Sequence, residues 1–317
     1  MSFSLRVLAV GAATVAFVTL VLTLIVPLLA TSASKGSATR RARRLGILRL
    51  IPAGAGVVVG LLVIASFLNF EPRQDENIGW LIPALGGLGA LLIAVGVWRA
   101  GRTALATRRL TRDWLAGATP ITLPGVSVPA VSIASAFPVV AVVGIRQPKL
   151  VIARSVLQTI TADELEAVLA HEQGHIDRRD NLRRLLMYAA PDALSWLPRS
   201  SQLASAWRAA TEEAADDDAA RAGEGGRLAL ASALIKVARL ATGMSRQRLM
   251  PASTLYCGES IDARVRRLLE PADAAVAARP ERHRLRTLAL IAGTIAVSML
   301  ALRTVQALIE FTIQTLP

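Results

Sequence analysis

Long apolar runs alternate with arginine-rich stretches along this chain, and a stretch of mixed polarity separates the third run from the last. The first run (residues 5–30), the second (45–70) and the third (78–98) each match or exceed the roughly 20 residues that a helix needs to cross a bilayer. The apolar core of a cleavable signal peptide is shorter, roughly 7–15 residues, so the first run is expected to be retained as a span. A fourth run (285–309) follows Arg279, Arg282 and Arg284, with Arg286 at its start. Lys35, Arg40, Arg41, Arg43 and Arg44 follow the first run, and Arg99, Arg102, Arg108, Arg109 and Arg112 follow the third. The positive-inside rule places these clusters in the cytoplasm, with both chain termini outside a multi-pass cell membrane protein.

Between residues 113 and 280 no apolar run is long enough to span, and the periodicity is that of a soluble domain. Its opening, with Pro120, Pro124 and Pro129, reads as loop and short strand. Residues 137–153 read as two strands joined at Gln147-Pro148. Thr161 with Glu164 forms a capping box, and Leu165, Val168, Leu169 and Ile176 recur at helical spacing. The run from Thr161 to Leu182 therefore reads as one long helix, with Pro191 as its upper limit. Further helices are expected over about 200–222, stopped by Gly223, over 227–241 and over 259–269. The organisation is then three spans with a basic loop (1–112), a soluble domain (113–280) and a fourth span (281–317). Gly56-Val-Val-Val-Gly60 is a small-xxx-small pattern of the kind that lets membrane helices approach closely.

Composition agrees with a membrane protein carrying a soluble part: 53% of the 317 residues are hydrophobic, with a mean hydropathy of +0.47. The formal charge of +13 raises the question of nucleic acid. Its placement beside apolar runs and the 4% aromatic content argue against direct binding, since stacking platforms are scarce. A single cysteine, Cys257, excludes an intrachain disulfide and reads as a small buried residue.

The chemistry centres on His171-Glu172-Gln173-Gly174-His175. Residues four apart on a helix lie one above the other, roughly 5–6 Å between Cβ atoms, so both imidazoles reach one Zn²⁺ per chain. Glu172, beside the metal, suits a general base acting on water. His283, among juxtamembrane arginines, reads as a surface residue. A catalytic zinc takes three protein ligands, and no third histidine follows closely enough. The missing ligand is then a carboxylate from the acidic run Glu212-Glu213-Ala-Ala-Asp216-Asp217-Asp218. Glu212 with Asp216, or Glu213 with Asp217, places a ligand and a supporting acid on one helical face. A plain solvated acidic face competes with both.

The strand pair, the segment Leu165-Glu-Ala-Val-Leu-Ala-His-Glu-Gln-Gly-His175 and Arg179-Asp180-Asn181-Leu182 resemble the BlaR/MecR-type membrane metallopeptidases. The downstream Glu212-Glu-Ala-Ala215-Asp216-Asp217 is similar to the E-x-x-A-D of HtpX-like membrane proteases. The resemblance covers roughly residues 45–310. It implies a mainly α protein, with four transmembrane helices and a cytoplasmic α+β zincin-type, gluzincin-like metallopeptidase domain between the third and fourth. It also implies Glu212 as third ligand with Asp216 in support, and Glu213 as the alternative. BlaR proteins carry an external penicillin-binding sensor after the fourth span, and this chain stops there. Asp180 is expected to pair with Arg178 or Arg184 rather than orient a ligand, and Arg264, in Ala-Arg-Val-Arg-Arg-Leu-Leu, resembles a helix near these active sites with its role open.

The function expected is zinc-dependent endopeptidase cleavage of protein or peptide substrates at the cytoplasmic face, in regulatory proteolysis of a transcriptional repressor or a membrane protein. The strand from Val139 through Val142 to Gly144 is the expected site for β-addition of substrate. Competing readings are an HtpX-like quality-control protease, a non-catalytic receptor or scaffold with a structural metal, and a basic membrane protein that binds nucleic acid.

Overall fold

A computed structural model describes residues 2–33, 36–70, 79–190, 198–221, 223, 225–242 and 261–270. The expected fourth span, Cys257 and His283 lie outside them. Three long helices come first: α1 (Phe3–Ala33), α2 (Ala38–Phe70) and α3 (Leu81–Ala116). All three are long and apolar enough to cross a membrane. Between lipid-like surfaces there is no hydrophobic driving force, so association depends on close approach at small residues. Accordingly α1 lies between two glycine stripes. A Cβ at Gly56 would fall 2.4 Å from Thr19 Oγ1, and one at Gly60 2.9 Å from the Gly11 carbonyl oxygen. On the other side, a Cβ at Gly89 would fall 1.8 Å from the Ala12 carbonyl oxygen. No rotamer change relieves a clash with backbone. Gly89→Val should therefore separate α3 from α1, lowering the Tm of detergent-solubilised protein, whereas the outward-facing Gly87→Val, with nothing within 4 Å, should leave it unchanged.

Both α2 and α3 outrun their apolar stretches. Arg40, Arg41, Arg43 and Arg44 sit on the first turns of α2 rather than in a loop, and α3 continues past Trp98 to Ala116. Arginine and alanine are good helix formers, and only Gly101 interrupts that part of α3.

The sheet has strands β1 (Thr119–Ile121), β2 (Ala130–Ile133), β3 (Val140–Val143) and β4 (Lys149–Ala153), in the order β1-β2-β4-β3. β2 and β4 are parallel, and the other two pairings are antiparallel. The expected strand pair is β3 and β4. Gly144 turns the chain between them at φ +93°, with a Cβ position only 2.7 Å from the Gln147 carbonyl oxygen, so only glycine fits.

Helices α4 (Arg154–Thr159), α5 (Ala162–Asp177), α6 (Asp180–Ala189), α7 (Pro198–Ala219), α8 (Gly226–Thr242) and α9 (Ile261–Leu269) complete the described fold. The main core joins the sheet to α5, α8 and α9 through Val140, Leu150, Ile152, Val156, Val168, Leu230, Leu234 and Leu268. A second core joins Val18, Leu22 and Val26 of α1 and Ala42 and Leu45 of α2 to Leu203, Trp207 and Ala210 of α7.

The helix expected from Thr161 to Leu182 is in fact two. Its start is as read: Thr161 N–H donates to Glu164 Oε2 at 2.8 Å and Glu164 N–H to Thr161 Oγ1 at 3.4 Å. The break comes at Arg179, the one non-glycine residue at positive φ (52°) among those described. The polar run Arg178-Arg179-Asp180-Asn181 offers no apolar side chain to hold a continuous helix against the core. The left-handed residue turns Asp180 back towards α5.

Candidate metal centre

On α5, the core-facing positions that bury Val168 and Leu169 also carry His171, Glu172 and His175 inward. His171 and Glu172 are fully buried, and His175 nearly so. The imidazoles stand edge to face, with His171 Nε2 and His175 Nε2 3.3 Å apart. Across from them α7 presents Glu212, whose Oε2 lies 3.7 Å from His171 Nε2 and 3.9 Å from His175 Nε2. Among the described residues His171, His175 and Glu212 are the group that can hold a metal ion, with ligand atoms all within 4.8 Å of one another.

These residues fit a divalent cation. Two nitrogens each about 2.0–2.1 Å from a tetrahedral Zn²⁺ would stand about 3.3–3.4 Å apart, which is the spacing found. Glu212 Oε2 and both oxygens of Glu172 are buried without a hydrogen-bond partner. Native structures rarely leave such groups unsatisfied unless an ion, water or substrate completes them.

Supporting groups hold the far side of each ligand. Asp180 Oδ2 lies 2.8 Å from His175 Nδ1, reached through the turn at Arg179. Asp180 also contacts Arg178 at 3.4 Å and Arg183 at 3.5 Å. The expectation that it pairs within its own helix thus captures only part of its role, and Arg184 is not its partner. Asp216 Oδ1 lies 3.1 Å from His171 Nδ1, though outside hydrogen-bond alignment; Asp216 thus stands behind His171 rather than behind Glu212. The hydrogen-bonded Asp180–His175 pair fixes the tautomer that leaves His175 Nε2 free for a metal. Arg184 donates to Glu212 Oε1 at 3.2 Å, leaving Oε2 to face the imidazoles.

The acidic run of α7 is not a solvated face. Arg264 of α9, itself buried, grips Asp216 with Nε to Oδ2 at 3.0 Å and a second nitrogen to Oδ1 at 2.5 Å. It also stands 3.6 Å from Glu212 Oε2. Glu213, the alternative ligand, instead pairs with Arg41 of α2 and approaches Arg267 at 3.8 Å. Asp217 pairs with Arg267, and Asp218 with Arg178 and Arg221. Arginines from α2, α6, α9 and the α5–α6 turn thus converge on one helix. Arg184 and Arg264 gave no signal in local spacing, because Glu212 and Asp216 lie on another helix. Asp180 is only five residues from His175, but the turn that aims it there was not marked.

Of the strand positions, the Val139 carbonyl accepts from Ala153 N–H at 2.7 Å, inside the sheet. By alternation, the polar backbone groups of Val140 and Val142 point to the outer edge of β3. There Asn181 Nδ2 donates to the carbonyls of Val142 (2.9 Å) and Gly144 (3.0 Å). β3 is an edge strand, yet its side chains are buried.

The electrostatics favour positive charge between the two helices. Burial pushes the Glu172 carboxyl above its ordinary range. Burial alone would lower His171, but the carboxylates of Asp216 and Glu212 outweigh it and raise the imidazole to about 9. Glu212 is brought down to about 2, its burial outweighed by His171, His175 and Arg264. A proton on His171 thus stands in for a cation. Because its folded value lies above 6.5, that contribution is complete below pH 6.5 and lost as pH rises through about 9. Chelated protein should therefore lose Tm over that range while zinc-loaded protein does not. Zinc binding at neutral pH should release a proton, seen as a buffer-dependent heat in calorimetry.

No curated protein matches the chain. Residues 124–255, which include His171, Glu172, His175 and Glu212, match Peptidase family M48, a family of metalloproteases that typically use zinc, and this match supports an M48 metallopeptidase behind three membrane-type helices.

Proposed function

We propose that the chain is a membrane-embedded zinc-dependent endopeptidase working at the cytoplasmic face, with His171, His175 and Glu212 holding the ion and Glu172 moving the proton. The observation that carries this reading is Glu172: a wholly buried carboxylate, neither oxygen satisfied by the protein, beside a three-residue cation cluster. A zinc ion held there supplies Lewis acidity, lowering the pKa of water toward about 7 and polarising a carbonyl. Glu172, with its raised affinity for protons, takes one from the attacking water and delivers it to the leaving amine nitrogen. Asp180 and Asp216 keep the imidazoles oriented, and Arg184 keeps Glu212 aimed. An extended substrate adds to the outer edge of β3 at Val140, with Asn181 of α6 setting where the pairing ends at Val142 and Gly144. The cytoplasmic side is supported by the arginines on the first turns of α2 and the last turns of α3, which lie on the soluble domain's side of the apolar runs.

The role we infer is regulated cleavage, with surveillance of membrane proteins as the alternative. A single defined product favours the first and many degraded clients the second. A structural metal would have all four positions filled by protein, and the described cluster supplies three. Glu172→Gln decides between enzyme and scaffold. Zinc content should stay at wild-type level while cleavage of unfolded casein falls about 10²–10⁴-fold; wild-type protein that binds zinc and cleaves nothing would favour the scaffold.

A further inference from the structure

The depth of the metal centre relative to the bilayer follows from what packs against α7. Arg41 of α2 is paired with Glu213, the residue next to Glu212. The apolar run of α2 starts at Leu45, which is packed with Leu203, Trp207 and Ala210 of α7. Gly46 lies directly under the Trp207 indole, where a Cβ would be 3.0 Å from Nε1. At about 1.5 Å of rise per residue, Arg41 precedes Leu45 by about 6 Å. The polar layer on each side of the hydrocarbon core is about 5–7 Å deep. Glu212 is thus level with the headgroups and is not carried on a stalk above them.

Helix α6 gives an independent sign. It brings Asp180 and Arg184 into the centre, and Met187 packs onto the same α1–α2–α7 core. Leu186 and Tyr188 of this helix remain 45% and 38% exposed. An apolar side chain and a tyrosine at this height suit the membrane–water boundary, where amphipathic rings collect. Both helices, α6 and α7, therefore build the centre and also pack onto the core at the start of the α2 apolar run. A folded soluble protein reaches that level only by displacing headgroups, whereas a chain emerging from its own span is delivered there already extended.

We propose, resting on the metallopeptidase reading above, that the substrate is an integral membrane protein cut in the extended segment immediately adjoining one of its own spans, with the bilayer acting as a ruler. An extended chain covers about 3.3–3.6 Å per residue, so the rise from the apolar boundary plus the residues lodged beside the scissile bond gives a window of about four to twelve residues.

The test uses the full chain in liposomes with a single-span peptide carrying a long unstructured tail of casein sequence, and the same tail without a span. Cut sites are mapped by mass spectrometry. Cuts should fall within the window, and the free tail should be cleaved at least about tenfold more slowly at equal concentration, since anchoring raises the effective concentration at the site. A rigid helical spacer between span and tail should abolish cleavage of the tail. Cuts spread evenly along the anchored tail, or a free tail cut as fast, would overturn the ruler and leave the peptidase reading standing. Cleavage of neither substrate would overturn the peptidase reading and the ruler with it.

Discussion

Glu212→Ala should empty the site of zinc, while Glu213→Ala should leave it filled. The two residues are adjacent in sequence, but α7 turns them in different directions. Glu212 faces the imidazole pair, and Glu213 faces Arg41. Losing a direct ligand should weaken zinc by more than the roughly 10–100-fold expected for supporting residues such as Asp180 or Asp216. Competition with a chromogenic chelator separates these classes on one scale. Equal loss in both glutamate variants would mean that the acidic run acts through its total charge rather than through one ligand.

Arg264→Leu is expected to be the most damaging change away from the ligands. Asp216 is fully buried, and Arg264 is its bidentate partner. Burial would raise the Asp216 carboxyl, but His171 and that guanidinium together keep it well below its ordinary value. Removing one partner of a buried ion pair strands the other charge and costs about 3–5 kcal/mol. Unfolding in detergent should show a loss of that order. Adding Asp216→Asn should restore part of it, because the stranded charge is then gone. Restored stability without restored zinc affinity would identify Asp216 as the group that orients His171. A single Arg264→Leu variant as stable as wild type would remove Arg264 from the supporting structure.

The histidine pair was legible because its chemistry is written in local spacing: four residues on one helix, with a capping box fixing the start of that helix. The first three apolar helices were legible for the same reason, as were β3 and β4, whose apolar runs flank Gln147-Pro148. Spacing alone left Glu212 and Glu213 open, since neighbours on a helix differ only by about 100° of rotation. A family pattern favoured the first, and the packing of α7 between α2 and α5 turns that one towards the histidines. The acidic partners of Arg41, Arg184 and Arg264 were silent in the sequence because each arginine meets its acid across 28 to 172 positions of chain. The break at Arg179 was missed because neither glycine nor proline marks it. The four polar residues from Arg178 to Asn181 were the available sign. Similarly, the extension of α3 to Ala116 carries no apolar periodicity that a span reading would follow.

Zinc K-edge absorption on the purified full-length protein tests the central claim most directly. One zinc per chain, bound only by nitrogen and oxygen with two imidazoles in its shell, is the predicted spectrum, and His171→Ala should lose it. A sulfur neighbour, which only Cys257 or a methionine can provide, or zinc that persists unchanged in His171→Ala, would place the metal elsewhere and contradict the account.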